Sequence, residues 1–246
     1  MPAMVRASWR GGIRVWGLAI AVLVAPAAPA AAQAQAHAGD GAGRVRGSVT
    51  LLRKGAFGRT APAGDRSGVV VYLSGFARAA PPAQARLAQE GEAFRPRILP
   101  IVRGQTVVFP NGDPIYHNVF SVSPVNPFDL GQYKSTDPPR AEVFETSGLV
   151  PVYCNIHPRM IAYVVVLEND AYAVTDADGR FAIEGAPPGR HVLHAWTPGA
   201  ERVSREIEVR PGAATEVALE LVAGRIPPHR RKDGTPYPRP GLEAER

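Results

Sequence analysis

Cys154, His157 and Met160 recur at intervals of three in the segment Cys154-Asn155-Ile156-His157-Pro158-Arg159-Met160. Cys154 is the chain's single cysteine, and the other two methionines, Met1 and Met4, stand at its very start. A thiolate, an imidazole and a thioether are the donors that copper selects, because soft sulfur suits Cu(I) and imidazole suits copper in general. Zinc is the competing metal, but thioether is not among its usual ligands, so Met160 argues against it. The bland alternative is a buried structural thiol with a chance histidine and methionine beside it.

A trigonal plane of two imidazoles and a thiolate, with a weak axial thioether, needs a second histidine from elsewhere. Of the six histidines, His117 follows the turn Pro110-Asn111-Gly112-Asp113-Pro114 and opens a new strand-like run, a rim position where one loop can meet another. His191 and His194, three apart on a strand-like run, point to opposite faces and read as packing or surface residues. His37 lies in a flexible leader and would chelate copper only as a mature N-terminus. Asp176, Asp178 and Gly179 read as a β-turn, since a calcium loop would have its glycine later and a glutamate where Pro187 stands.

The elements that must position these groups begin after an export signal. Arg6, Arg10 and Arg14 precede an apolar run from Val15 to Ala25 and a small-residue stretch ending at Ala32, the order of a secretory signal. The apolar part is about half the ~20 residues of a spanning helix, so no stable membrane span is expected after cleavage. Export to the periplasm makes a lone cysteine unusual, because it has no intramolecular disulfide partner. The formal charge of +6 comes from the three signal arginines and from a tail with six basic residues against Asp233, Glu243 and Glu245. The body between them is neutral and shows no nucleic-acid footprint.

From Arg44 onward, short β-type runs alternate with Gly, Pro and Asn: Val45–Leu52, Val69–Leu73, Ile98–Val102, Thr106–Phe109, His117–Val122, Ala141–Glu145, Val150–Tyr153 and Ile161–Leu167. That spacing predicts an all-β chain. Ala83 to Glu92 is the one helix-compatible patch, equally readable as a loop. Ala173 to Ile183 reads as a hairpin around Asp178-Gly179. The resulting division is 1–32 signal peptide, 33–43 leader, 44–168 metal domain, 169–223 second small sandwich and 224–246 disordered basic tail. Residues 44–79 are open between the two sandwiches; in the second case the metal domain is an insertion.

Two family resemblances attach to these residues. Thr175 to Gly189, with Thr-Asp-x-x-Gly-x-Phe and then Pro-Pro-Gly, resembles the carboxypeptidase regulatory-like (transthyretin-like) sandwich. Val102 to Asn111, His117-Asn118-Val119, Tyr153 to Met160 and Val164 to Val166 resemble the cupredoxins of the amicyanin and plastocyanin type, with the short amicyanin spacing around His157. Val152 and Ala162 depart from the usual pattern, and neither is a ligand. The resemblance implies a Greek-key β-sandwich holding one mononuclear type 1 copper, with His117, Cys154 and His157 equatorial and Met160 axial. It further implies that Asn118 fastens the two ligand loops by hydrogen bonds and that His157 is the edge through which electrons pass.

Four protein donors leave no open position for a substrate, whereas catalytic metal sites keep one. The expected function is therefore single-electron transfer in the periplasm, not catalysis, with a redox partner such as a c-type cytochrome or a dehydrogenase. The alternative is a copper-binding or delivery protein in which copper is cargo and the second domain docks a partner.

Overall fold

The computed structural model describes residues 41–81 and 83–238; the export segment and His37 lie outside them. No helix among the described residues is long and apolar enough to cross a membrane. The chain is all-β. It opens with β1 (Gly43–Lys54), β2 (Thr60–Pro62) and β3 (Val70–Ser74). Ten strands follow: β4 (Ala85–Arg86), β5 (Ala88–Gln89), β6 (Phe94–Arg95), β7 (Ile98–Val102), β8 (Thr106–Phe109), β9 (His117–Ser121), β10 (Phe128–Tyr133), β11 (Arg140–Val143), β12 (Gly148–Cys154) and β13 (Ile161–Leu167). The last five are β14 (Tyr172–Val174), β15 (Arg180–Ala186), β16 (Gly189–Trp196), β17 (Val203–Val209) and β18 (Ala214–Ala223).

The outer sandwich combines the first three strands with the last five. One sheet runs β15-β1-β18 with β2 on β1, the other β14-β3-β16-β17. On β18 the alternate residues Val217, Leu219, Leu221 and Ala223 are buried while Glu216 and Glu220 face solvent, the period-2 pattern of a half-buried strand. They share a core with Val45, Val49 and Leu51 of β1 and Val71, Leu73 and Leu193 of the facing sheet. β1 and β18 run parallel in register from Arg44 opposite Ala214 to Arg53 opposite Ala223. Gly47 permits that approach, since a Cβ there would lie 1.7 Å from the Val217 carbonyl oxygen.

Of the two sandwiches open to residues 44–79, this pairing selects the second, which corrects the 44–168 boundary. β1 and β3 pair with β14, β15, β16 and β18, so the opening strands belong to the second sandwich and the other sandwich is inserted between β3 and β14. The physical cause is that β1 and β18 complete each other's apolar row. A second correction concerns Asp178-Gly179. The turn forms, with the Gly179 N–H on the Asp176 carbonyl and the Asp176 carboxylate accepting from the Asp178 and Arg180 N–H groups. Its two arms, β14 and β15, then enter different sheets instead of pairing as a hairpin.

In the inserted sandwich, β10-β9-β12-β13-β7 packs against β11-β8-β4 through Ile101, Val107, Phe109, Val119, Phe144 and Val164. The patch 83–92 forms the short strands β4 and β5. β13 is apolar throughout because both its faces are covered. Ala162, Val164 and Val166 point into this core, while Val165 and Leu167 pack with Val70 of the outer sandwich. Pro151 pairs with Tyr163 of β13, and β9 joins β12 only at Tyr153 and Cys154, which spares the strand a donor that proline lacks.

The tail from 224, expected to be disordered, is described as far as Pro238 and runs back over the inserted sandwich. Within the described part, His229, Lys232 and Tyr237 find partners there.

Candidate metal centre

Strand register builds the site. Inward alternation along β12 passes through Val150 and Val152 and delivers Cys154, fully buried, at the strand's end. Cys154 lies opposite Val119 of β9, two residues from His117 at that strand's first position. The loop after Cys154 folds back, with the Met160 N–H on the His157 carbonyl (3.1 Å) and the Cys154 N–H on the Met160 carbonyl (3.3 Å).

His117 Nδ1, Cys154 Sγ and His157 Nδ1 lie within 4.8 Å of one another. The two nitrogens are 3.0 Å apart and the sulfur is 3.6 Å from His157 Nδ1. Two donors each about 2.0–2.3 Å from one shared ion stand about 3–4 Å apart, so these two separations fit a metal. Met160 is fully buried in the same core cluster as Cys154. His117 and Cys154 are wholly buried and His157 half-buried, so of the three clustered side chains His157 is the nearest to solvent.

Asn118 ties the loops through its main chain: its carbonyl accepts the Asn155 N–H at 3.3 Å. Its side chain turns elsewhere, donating to Asp129 Oδ1 at 2.7 Å. Asp113, which sequence reasoning left in a turn, accepts from His117 Nε2 at 2.8 Å and from the Gly91 and Glu92 N–H groups. That bond commits the Nε2 proton to the carboxylate and leaves the Nδ1 lone pair for a metal, the usual outer partner of a ligating histidine. The signal was a carboxylate four residues before a candidate ligand. Asn111 braces the same turn, donating to the Ile115 and Tyr133 carbonyls.

The electrostatics favour an ionised sulfur. Burial pushes the Cys154 thiol up, but His117 and the N–H groups of Asn118, His157 and Ile156 outweigh it and bring the thiol down to about 6. For His117, burial works downward and is overcome by Cys154 and Asp113, which raise it. Burial likewise raises Asp113, yet the Glu92 N–H, His117 and the Gly91 N–H hold it below the ordinary carboxylate range.

The tail contributes groups that sequence reasoning did not single out. The His229 ring stacks on Tyr153 at 4.5 Å between centroids. Tyr237 Oη donates to the Cys154 carbonyl, and the Lys232 N–H donates to Asn155 Oδ1 at 2.9 Å. Lys232 Nζ pairs with Asp129. No periodicity marks these residues; an aromatic pair among basic residues was the only cue.

Residues 160–222 match the family model of the carboxypeptidase regulatory-like domain. That range takes in β13 to β18 and leaves out β1 to β3, which the insertion separates from it. Comparison with curated proteins gives no match. Among solved structures, a purple cupredoxin from Nitrosopumilus maritimus is 24% identical, with 34% of this chain and 100% of that chain covered and a TM-score of 0.31. Amicyanin from Paracoccus versutus is 24% identical over 35% of this chain and 84% of that one, at a TM-score of 0.30. A copper-containing nitrite reductase from Thermus scotoductus is 25% identical at a TM-score of 0.34, over 39% of this chain; the match spans a quarter of that enzyme's length.

Proposed function

We propose that this protein is a periplasmic, cupredoxin-type electron carrier that holds one mononuclear type 1 copper with His117, Cys154, His157 and Met160. The observation that carries the reading is the convergence of His117 Nδ1, Cys154 Sγ and His157 Nδ1 at the end of one β-sandwich. When bound, the ion supplies a one-electron Cu(I)/Cu(II) couple. The protein's part is to hold its donors still. Asp113 fixes the tautomer and tilt of His117, and the Ile156 N–H lies 3.4 Å from the Cys154 sulfur, stabilising the thiolate. A donor set braced on both strands needs little rearrangement when charge changes, and with Met160 it leaves no position open to a substrate.

His157 is the exit for the electron. Pro114, Ile115, Tyr116, Ile156 and Pro158 flank the ligands in sequence and are exposed, an apolar rim for brief contact with a partner such as a c-type cytochrome or a dehydrogenase. The test is to load the exported form with Cu(II) and record its visible spectrum and reduction. An intense thiolate-to-copper band that bleaches reversibly and is absent in Cys154→Ser is the expected result. A colourless, redox-inert Cu(I) complex would overturn the reading in favour of copper delivery.

A further inference from the structure

The basic tail is seated on the ligand loop, and nothing in the metal-binding chemistry requires it to be there. From His229 to Tyr237 it touches three consecutive residues of the strand and loop that carry the sulfur. His229 stacks on Tyr153, Tyr237 donates to the carbonyl of Cys154, and the Lys232 N–H donates to Asn155. The strap is braced internally as well: Tyr237 Oη lies 3.2 Å from His229 Nδ1, and the Arg231 guanidinium stands 5.8 Å from the Tyr237 ring centroid. A run of like charge is ordinarily a solvated, mobile segment. Here it is held at a redox site by aromatic stacking and directed hydrogen bonds.

We propose that this strap is the docking surface for an acidic electron-transfer partner, an inference that rests on the copper electron-transfer reading above. Arg230, Arg231 and Lys232 lie between the two aromatic anchors, and Arg159 adds a guanidinium from the ligand loop itself; Arg159, Arg230 and Lys232 are exposed. Two carboxylates stand among them, Asp129 paired with Lys232 and Asp233 hydrogen-bonded to Thr235, and Arg159, Arg230 and Arg231 outnumber the one carboxylate that has no ion-pair partner. The strap reaches the residue after His157 through a polar contact between His229 and the Pro158 backbone, and Arg159 is two residues from His157 in the same loop. The cations therefore border the apolar rim, the layout of an interface with an apolar centre and a charged edge. Charges so placed steer an oppositely charged partner and select against a like-charged one. A membrane surface fits less well. Within 225–238 the bulky apolar side chains are Ile226 and Tyr237, both half-buried, so the strap itself brings no exposed apolar anchor to a bilayer.

The test mixes reduced, copper-loaded, full-length protein with two oxidants of opposite charge, hexacyanoferrate(III) and tris(phenanthroline)cobalt(III), each of which takes one electron from the protein. Wild type is expected to favour the anionic oxidant at low ionic strength and to lose that preference as salt rises. Arg230→Glu should lower the anionic-to-cationic rate ratio by about tenfold, with Arg230→Gln between, because two charge units change beside the exit edge. The copper band should be unchanged in both variants. A normal copper band with a ratio that neither variant moves overturns the strap's role alone, whereas a protein with no reducible band sinks the electron-transfer reading and this inference together. Co-sedimentation of wild type with phosphatidylglycerol vesicles, combined with charge-blind oxidation, would overturn it in favour of a membrane surface.

Discussion

The two sandwiches use the same alternation and spend its last inward position differently. In the outer one the buried rows are apolar, Val45, Val49 and Leu51 on β1 and Val217, Leu219, Leu221 and Ala223 on β18, and its buried Asn169 and Thr175 satisfy backbone groups: Asn169 donates to the Leu73 and Phe76 carbonyls, and Thr175 accepts the Val69 N–H. In the inserted one the row Val150, Val152 ends on Cys154, and β9 begins on His117. Burial of apolar rows holds both sandwiches together. Only the second gives up that burial at one rim to gather groups that compete for a proton or a metal. On the proposed reading the outer sandwich is the support and the inserted one carries the chemistry.

The hardest test of that division is a cavity in the support. Leu221→Ala removes a side chain that is 1% exposed and should cost about 2–5 kcal/mol in denaturant unfolding, with the copper band of the folded protein unaltered. A shifted band would show that the two sandwiches are not separable in function. Next in size, Asp113→Asn leaves the fold intact and should weaken copper binding by about 10–100-fold in competition with a chelator. Unchanged affinity would mean that His117 is oriented without its carboxylate.

A titration sharpens the same contrast. The thiol of Cys154 is lowered from 9.0 to about 6 in the folded protein, so in the unfolded state it binds a proton that the native state has already released. The stabilising contribution is fully present above 9, and it falls away as pH drops through about 6. The thiolate absorbance of metal-free protein should accordingly rise with a midpoint at about 6; a midpoint near 9 would mean that the N–H groups and His117 do not stabilise the anion. Smallest of all, Arg46→Gln breaks an exposed pair with Glu216 on the outer sandwich. It should change stability by no more than about 1 kcal/mol, less at high salt, and leave copper binding as it was.

Much of this was legible because it is local. The strands Ile98–Val102, Thr106–Phe109 and Ile161–Leu167 coincide with β7, β8 and β13, since alternation and turn residues mark them directly. The residues that cluster, Cys154 and His157 with His117, stood out by donor type and position. What escaped was non-local or irregular. β10 contains Asp129 and Gly131 and carries a break in register, which hides its alternation. The place of β1 depends on a partner, β18, more than 160 residues away, and no local pattern distinguishes the two sandwiches at that point. Asp113 reads as a turn residue until the fold brings it under His117. The strap has no period at all, and its order comes from Tyr153, Asn155 and Asp129, residues that its own sequence does not contain.

The parallel pairing of β1 and β18 has a mechanical consequence. Tension applied between the start of β1 and the end of β18 pulls along the strands in opposite senses, so the ladder from Arg44–Ala214 to Arg53–Ala223 is loaded in shear and its hydrogen bonds share the force instead of opening one at a time. The inserted sandwich, whose two connections both lie inside that clamp, is shielded from the pull. The strap beyond β18 has no such ladder and peels first, so traction on the C-terminal end would uncover the ligand loop while both sandwiches stay folded.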